Sequence, residues 1–418
     1  MSARSSFVNQ QTRRLQVCAG QAAALWAAVT ELAKGPHIKA DLGQGFPDFE
    51  GDDAALVAAR MHLGPAGGDA ARARLQQYSA VSGPPSLREA LAEWYAKRYA
   101  DGRRIDGDKE LIVCTSGTEA LYVALASLLE PGDNVLVFEP AFPWYRPHVE
   151  AAGGKMVAVQ LRFPGFPLPG EGELRAAFEE HRPRVVVFNT PHNPSGHVAS
   201  RGEVALLARL CVEFDAFCVS DEVYEVFVFA PGQSSGKVEH LRICDEPGMW
   251  ERTLTVGSAS KMFSLTGWRV GWLYTGCPEL LAACRALHGY ITYCAPTPLQ
   301  EAVKDALLDA IPRPEALPAQ LPALRAAFHA NASSLAACMG ARFGAVGEAP
   351  DGGYFLVLDI SSSGKTDFQF CEWLAKEKGV VAIPMQVFYS HDPPSNLIRL
   401  AICKSPALMA KAIAALES

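Results

Sequence analysis

The chain has 418 residues, of which 49% are hydrophobic and 20% charged, and its formal net charge is −7. Its length allows two domains, and the acidic balance without a long basic run argues against a nucleic-acid-binding surface. No apolar run approaches the ~20 residues that a membrane helix requires.

The cysteine pattern indicates a reducing compartment. The 11 cysteines are scattered from Cys18 to Cys403 without a C-x-x-C pair, which is typical of reduced thiols and not of a disulfide framework. The first thirty residues contain three arginines and no acidic residue. We therefore expect a cytoplasmic protein, with a mitochondrial presequence as the alternative.

Short apolar runs alternate with helix-like stretches through the middle of the chain. Strands are predicted at residues 111–114, 134–138, 155–159, 185–188, 217–220 and 253–257. Helices are predicted between them, including 119–129 and 202–214. This alternation predicts an α/β fold with a mostly parallel sheet that is covered on both faces. In such sheets ligands bind at the carboxyl ends of the strands.

A proline-rich segment, residues 311–322, predicts a domain junction. It precedes a helix-like stretch at 323–339 and strand-like runs at 354–359 and 397–402. We expect an N-terminal segment that belongs to the small domain, a large domain, and a small α+β domain, at residues 1–59, 60–310 and 311–418.

The first polar motif follows strand 111–114. Ser116, Gly117 and Thr118 open a helix, where free backbone N–H groups and the helix dipole favour an anion such as phosphate. A plain Ser/Thr cap is the alternative interpretation.

A second motif follows strand 185–188. Residues 189–196 contain two asparagines and two prolines, which predicts a rigid polar turn. His192 is interpreted as a residue of this turn and not as a catalytic base.

Asp221 and Tyr224 form a third motif after strand 217–220. An acid at a buried strand end requires a cationic partner, because its desolvation is costly. A protonated pyridine nitrogen would be such a partner, and Tyr224 could reach a hydroxyl on the same ring. A structural ion pair is the alternative.

The fourth motif surrounds Lys261, which follows three small residues, 258–260, and precedes Arg269 in a Gly-Trp-Arg-Val-Gly turn. Lysine amines form imines with carbonyl cofactors, and small neighbours allow the backbone to close around a phosphate. A lysine in an ordinary Ser/Gly loop is the alternative.

Arg399 lies inside an apolar strand. A buried guanidinium favours a planar anion, and a carboxylate fits its fork of donors. Core ion pairing is the alternative.

Together these motifs resemble the class I/II aminotransferases of the pyridoxal-phosphate family, and within them the kynurenine aminotransferases, also called glutamine transaminase K and cysteine-S-conjugate β-lyase. The resemblance to the latter rests on residues 41–49, 247–258, 383–384 and 387–390. Bacterial methionine aminotransferases are similar across 189–195 and 220–224. The resemblance implies the aspartate aminotransferase fold (fold type I) and a homodimer with shared active sites.

The resemblance also implies roles by position. Lys261 would form the Schiff base and move the substrate proton, Asp221 would hold the pyridine nitrogen, and Tyr224 and Asn193 would bind the ring hydroxyl. Phe142 would stack on the ring. The phosphate would be bound by Ser116, Gly117, Thr118, Ser258, Arg269 and, from the neighbouring subunit, Tyr78. The substrate carboxylate would be bound by Arg399, Asn193 and the backbone of Gly45. Pro140 and Pro194 would follow cis peptide bonds.

The expected side-chain pocket departs from the kynurenine aminotransferase pattern. Trp26 and Tyr145 would line it, and Tyr293 would enter it from the other subunit. Tyr293-Cys294 stands where kynurenine aminotransferases commonly carry Phe-His. An aromatic or sulfur-containing donor remains the expectation.

These implications predict an enzyme that moves an amino group from kynurenine, glutamine, methionine or an aromatic amino acid to a 2-oxo acid, with a side β-lyase activity on cysteine S-conjugates. Three alternatives stay open: a methionine or aromatic aminotransferase without kynurenine preference, a pyridoxal-phosphate β-lyase on the same fold, and a non-enzymatic regulator.

Overall fold

The computed structural model describes residues 27–28, 30–65, 69–100, 102–229 and 239–418; Trp26, expected in the substrate pocket, lies outside them. The strands are β1 Ala40–Asp41, β2 Leu111–Cys114, β3 Asn134–Glu139, β4 Lys155–Gln160, β5 Val185–Asn189, β6 Phe217–Asp221, β7 Thr253–Ser258, β8 Gly271–Tyr274, β9 Phe355–Asp359, β10 Val380–Val381, β11 Ile383–Pro384 and β12 Leu397–Ala401. The α-helices are α1 Asp53–Leu63, α2 Ala70–Arg74, α3 Pro85–Arg98, α4 Ser116–Leu128, α5 Tyr145–Ala151, α6 Glu171–His181, α7 Arg201–Glu213, α8 Ala259–Met262, α9 Pro278–Ile291, α10 Thr297–Ala310, α11 Leu321–Phe343, α12 Asp367–Trp373 and α13 Pro406–Glu417. One π turn, Leu374–Lys378, and the short 3-10 helices Ile243–Asp245, Trp250–Arg252, Thr266–Trp268, Pro314–Ala316, Ser361–Ser363 and Met385–Phe388 complete these elements.

A seven-stranded sheet forms the centre of the chain, in the order β2-β8-β7-β6-β5-β3-β4. The neighbouring pairs β4–β3, β3–β5, β5–β6 and β6–β7 are parallel. In this sheet only β8 is antiparallel to its neighbours, β2 and β7. The six predicted strands all lie in this sheet, each within one residue of its predicted end. The predicted mostly parallel α/β fold is therefore confirmed.

The sheet strands are apolar because both faces are covered. β5 is Val-Val-Val-Phe-Asn and all five residues are buried, as expected for a parallel strand between two helical layers. α7 shows how a covering helix begins: the Ser200 hydroxyl accepts the Glu203 N–H, and Glu203 accepts the Ser200 N–H in return. This capping box satisfies donors that the first helical turn leaves free.

A smaller antiparallel sheet, β11-β12-β9, follows the proline-rich segment. The N-terminal β1 pairs with β10 in parallel, which brings the start of the described chain to its C-terminal part. This pairing fits the proposed grouping of residues 1–59 with 311–418, although the division itself stays a prediction.

The topology gathers the polar motifs at one edge. β2, β5, β6 and β7 point the same way, so the residues that follow them lie together at their carboxyl ends. β8 runs in the opposite direction and therefore begins at this edge, which adds Arg269 to it. None of the described helices is long and apolar enough to cross a membrane.

Candidate active site

A cavity of about 140 Å³ opens at this edge of the sheet. It is lined by Ser116, Gly117, Thr118, Leu121, Phe142, Asn193, Asp221, Val223, Tyr224, Ser258, Ser260, Lys261, Thr266 and Arg269. Residues predicted from four separate motifs therefore surround one space.

Lys261 reaches this cavity from the short helix α8, which follows β7 directly. Its Nζ donates a hydrogen bond to the Gly45 carbonyl at 3.1 Å, and it lies 5.4 Å from the ring centre of Tyr224. Burial lowers the pKa of the amine to about 8, because desolvation disfavours the charged form. The amine can therefore accept and release a proton near neutral pH.

Asp221 ends strand β6 and is 4% exposed. Burial raises the pKa of its carboxyl to about 6. Its Oδ2 accepts the hydroxyl proton of Tyr145 at 2.7 Å, while Oδ1 receives only the Val223 N–H at 3.4 Å. No described Lys, Arg or His side chain forms an ion pair with it, so the structural ion pair considered from the sequence is not found.

The wall beside α4 is suited to an anion. Thr115, which precedes the helix, makes no side-chain cap, and the Ser116 hydroxyl lies 3.5 Å from the Glu119 N–H. The plain cap is thus at most weakly formed. A Cβ added at Gly271 would overlap the backbone of Ser116 and Gly117, which explains the glycine that ends the Gly-Trp-Arg-Val-Gly motif.

Arg269 and Ser258 complete this wall. Arg269 adopts the left-handed conformation, with φ 56°, and its guanidinium donates to the Thr266 carbonyl at 2.9 Å. Ser258 caps α8 by accepting the Ser260 N–H. A cation and several short hydroxyl side chains therefore lie beside the start of α4.

Arg399 projects from β12 and is 4% exposed. Its Nη1 donates to Asn193 Oδ1 at 3.1 Å and its Nη2 to the Gly43 carbonyl at 3.0 Å. The guanidinium carbon lies 3.8 Å from the ring centre of Phe355 and 4.5 Å from that of Phe388.

The charge of Arg399 is not neutralised by any acid that the structure describes, and its Nε is buried without a hydrogen-bond partner. Burial lowers the pKa of the guanidinium to about 9. The core ion pair considered from the sequence is therefore absent from the described part of the chain, and a carboxylate would supply the missing partner.

The comparisons with known proteins decide the family. A model of aminotransferase class I and II matches residues 37–416. The chain belongs to the class I and II aminotransferases. Kynurenine--oxoglutarate transaminase 1 of Homo sapiens is 36% identical over 391 residues, which cover 87% of this chain and 87% of that protein. Methionine aminotransferase of Escherichia coli (strain K12) is 32% identical, and the match covers 89% of this chain and 90% of that protein.

Solved structures agree with this assignment. N-Succinyldiaminopimelate aminotransferase from Mycobacterium tuberculosis superposes with a TM-score of 0.82 at 34% identity, covering 98% of this chain and 99% of that one. The aspartate aminotransferase-like fold is therefore confirmed. The protein is a transaminase, and aminotransferases of this class and fold use pyridoxal phosphate.

The cavity of this aminotransferase fits that cofactor. Pyridoxal phosphate presents an aldehyde, a basic ring nitrogen and a phosphate. The cavity offers the Lys261 amine, the Asp221 carboxylate, which has no ion-pair partner among the described residues, and the start of α4 beside Arg269. Each chemical group of the cofactor thus has a complementary group on the protein.

Asn193 and His192 hold the turn that follows β5. The Asn193 N–H donates to Asn189 Oδ1 at 2.7 Å, and His192 Nδ1 lies 2.7 Å from the Ser195 hydroxyl. Burial lowers the pKa of His192 to about 3, so its imidazole stays neutral, as a turn residue would. The peptide bonds before Pro140 and Pro194 are cis, which confirms that prediction.

The cavity is not lined by Tyr145, nor by Tyr78 and Tyr293, which are predicted to serve the neighbouring subunit. Tyr145 was expected in the substrate wall, but its ring is buried outside the residues that line the cavity, and its hydroxyl is directed at Asp221. Tyr78 and Tyr293 pack edge to face at 5.3 Å, with exposed fractions of 83% and 48%, and neither lines the cavity of its own chain.

Sequence reasoning missed two aromatic contacts. Tyr354 donates its hydroxyl to the Lys261 carbonyl at 3.2 Å and lies 5.2 Å from the Lys261 amine, and Phe355 covers the Arg399 guanidinium. Both follow the Gly352-Gly353 pair. That pair was the available signal, since consecutive glycines before a strand indicate close approach of the backbone to another element.

Proposed function

We propose that this transaminase moves an amino group from kynurenine, glutamine, methionine or an aromatic amino acid to a 2-oxo acid, with a side β-lyase activity on cysteine S-conjugates. One observation carries the proposal: three ionisable groups, the partly buried Lys261 and the buried Asp221 and Arg399, lie at or beside one cavity without ion-pair partners among the described residues. A cofactor and an amino acid together supply those partners.

The cofactor is proposed to lie between two groups of residues. Ser116, Gly117, Thr118, Ser258 and Arg269 hold its phosphate, and Asp221, Asn193, Tyr224 and Phe142 hold its ring. When bound, pyridoxal phosphate supplies an electron sink for negative charge at the substrate α-carbon. The helix N-terminus and the cation support the phosphate assignment, because both attract anions.

Lys261 is proposed to move the proton between the substrate α-carbon and C4′ of the cofactor. Its lowered pKa, about 8, supports this role, because a base is most effective when its pKa lies near the working pH. Asp221 keeps the ring nitrogen protonated. Tyr224, whose pKa burial raises far above its usual value, keeps its proton and is proposed to donate a hydrogen bond to the ring hydroxyl.

Arg399 and Asn193 are proposed to bind the substrate carboxylate, with the backbone of Gly45 beside them. The hydrogen bond between Arg399 and Asn193 supports this, because it holds the guanidinium in one orientation. The Gly45 carbonyl contacts Lys261, so this loop lies where the carboxylate and the reacting amine meet.

Exposed aromatic rings support the aromatic and sulfur-containing donors among those proposed. Trp144 stacks on the cavity residue Phe142 at 5.1 Å and remains 45% exposed. Phe46, next to Gly45, is 47% exposed. The two relatives, a kynurenine--oxoglutarate transaminase and a methionine aminotransferase, are consistent with such donors.

A homodimer is proposed to complete the site. Tyr78 would bind the cofactor phosphate of the neighbouring subunit, and Tyr293 would enter the neighbouring substrate pocket. Their exposure on the surface, with one ring packed on the other, supports this arrangement.

The ten cysteines of the described residues are free. This supports a reducing compartment, and we propose the cytoplasm.

Visible absorbance of the bound cofactor tests the donor assignment. The holoenzyme is mixed in turn with kynurenine, glutamine, methionine, phenylalanine and aspartate, without any oxo acid. We expect the band to shift with the first four donors and to respond least to aspartate, whose side chain is charged. A band unchanged by every donor, together with pyruvate release from a cysteine S-conjugate, would replace transamination by β-elimination as the main reaction.

A further inference from the structure

Tyr145 contacts Asp221 and is not among the residues that line the cavity. It is the first residue of α5, and its ring is 2% exposed and packs edge to face on Phe142 at 5.6 Å. Its hydroxyl donates to Asp221 Oδ2 at 2.7 Å. Among the described residues, Tyr145 is the only one whose side chain donates a hydrogen bond to the Asp221 carboxylate.

We propose that Tyr145 is the positioning residue for Asp221: its hydroxyl occupies Oδ2, directs Oδ1 toward the cavity, and keeps the carboxylate ionised for the cofactor's ring nitrogen. The inference rests on the proposed role of Asp221. The geometry supports it, because Oδ1 receives only a long contact from the Val223 N–H and so retains hydrogen-bonding capacity.

The surroundings of Asp221 explain why the Tyr145 hydrogen bond is needed to keep its carboxylate ionised. Burial raises the pKa of Asp221, and the nearby Glu222 raises it further, while Tyr145 and Lys261 lower it. Tyr224 lies close to the same carboxylate. Tyr145 itself cannot lose its proton near neutral pH, since burial and Asp221 raise its pKa well above the usual value. It is therefore a permanent donor.

Cofactor affinity as a function of pH tests the proposal without any amino acid. Tyr145→Phe removes one oxygen atom, and we expect the dissociation constant of pyridoxal phosphate at pH 7 to rise about tenfold. Removal of the Tyr145 hydroxyl raises the pKa of Asp221. As the pH is lowered, cofactor affinity should therefore begin to fall about one pH unit higher in the variant than in the wild type. Tyr99→Phe, which removes the hydroxyl of a partly buried tyrosine bonded to Glu225, is the matched control.

A double-mutant cycle separates this role from general destabilisation. In an Asp221→Asn background, Tyr145→Phe should leave the remaining affinity and its pH dependence unchanged, because the carboxylate that it serves is gone. Replacing Tyr145 by 3-fluorotyrosine, a stronger donor of nearly the same shape, should move the acid limb to lower pH and does not depend on the Phe variant folding.

Three results would overturn the proposal: unchanged affinity and pH dependence in Tyr145→Phe, an equal effect with and without the Asp221 carboxylate, or an unmoved acid limb with fluorotyrosine. None of them concerns donor turnover, so the proposed function could stand. A wild-type chain that binds no cofactor would instead defeat the proposed function itself.

Discussion

Asp221 and Glu222 are adjacent in the chain, both are buried acids, and their surroundings differ completely. Glu222 accepts the Ser220 hydroxyl at 2.7 Å on one oxygen and His240 Nε2 at 2.8 Å on the other. Asp221 has a strong donor on Oδ2 only. Unused hydrogen-bonding capacity, and not burial or charge alone, distinguishes a carboxylate that can receive a ligand.

Glu225 extends the contrast. Its two oxygens accept hydrogen bonds from the hydroxyls of Tyr95 at 3.0 Å and Tyr99 at 2.7 Å. Glu225, like Glu222, is therefore satisfied by donors from the protein. We call the buried Glu222, Glu225, His240 and Tyr95, together with the partly buried Tyr99, the buried network. We call Lys261, Asp221 and Arg399 the cavity charges. The first set is expected to determine stability and the second to determine chemistry.

Lys261→Ala should have the largest effect of any cavity-charge substitution. Because the proposed base for the substrate proton is lost, we expect turnover to fall by at least about 10³-fold, while pyridoxal phosphate still binds. Steady-state kinetics and the absorbance of the bound cofactor check both points. Lys411→Ala, at an exposed lysine of α13, is the control, and near-normal activity of Lys261→Ala would contradict the assignment.

Asp221→Ala should reduce turnover by about 100-fold, because the cofactor would lose the negative charge proposed to maintain its electron sink. Its thermal midpoint should change little, since a buried, incompletely paired carboxylate is costly to keep. Glu222→Gln, one residue away, should lower the midpoint and affect turnover less. A fall in turnover of under tenfold in Asp221→Ala would argue against the contrast between Asp221 and Glu222. So would a larger fall in turnover in Glu222→Gln than in Asp221→Ala.

Arg399→Ala should raise KM by about 10- to 100-fold, the range expected when a charge-assisted hydrogen bond is lost. The increase should be similar for every amino donor, because all share the α-carboxylate that Arg399 is proposed to bind. KM values for kynurenine, methionine and glutamine measure this directly. Arg399→Lys keeps the charge without the planar fork and should recover part of the affinity; an increase confined to one donor would refute the role.

Glu225→Gln should have the smallest effect and should appear in stability alone. Burial raises the pKa of Glu225 to about 7, above the usual 4.5. Between these values the folded state holds a proton that the unfolded state has released, so stability falls as pH rises from about 4.5 to 7. The variant cannot titrate, so its unfolding midpoint should decline less across this window. If the unfolding midpoints of wild type and variant depended on pH in the same way, Glu225 would not contribute to the pH dependence of stability.

Much of the cavity was predictable because its residues belong to local patterns. Ser116, Asp221 and Lys261 each follow a strand that its own apolar run identifies. Strands of one parallel sheet end at one edge, so the motifs could be placed together before any contact was known. The resemblance to a family then supplied the roles.

The contacts between distant segments could not be predicted in the same way. Tyr145 was expected in the substrate wall, yet its hydroxyl reaches an acid 76 positions later. Phe355 covers the Arg399 guanidinium because β9 pairs with β12. Neither the direction of the Tyr145 ring nor this strand pairing leaves a mark on the local sequence.

The sequence by itself determined the family, the sheet, the cofactor and the residue types that the chemistry requires, because apolar periodicity and polar motifs at strand ends act over short stretches of chain. The tertiary structure alone decided which buried charges are satisfied and which are open to a ligand. That distinction depends on donors from distant segments, such as Tyr145 beside Asp221 and His240 beside Glu222. Their positions are set by packing, since a hydrogen bond requires two groups within about 3 Å in a definite orientation.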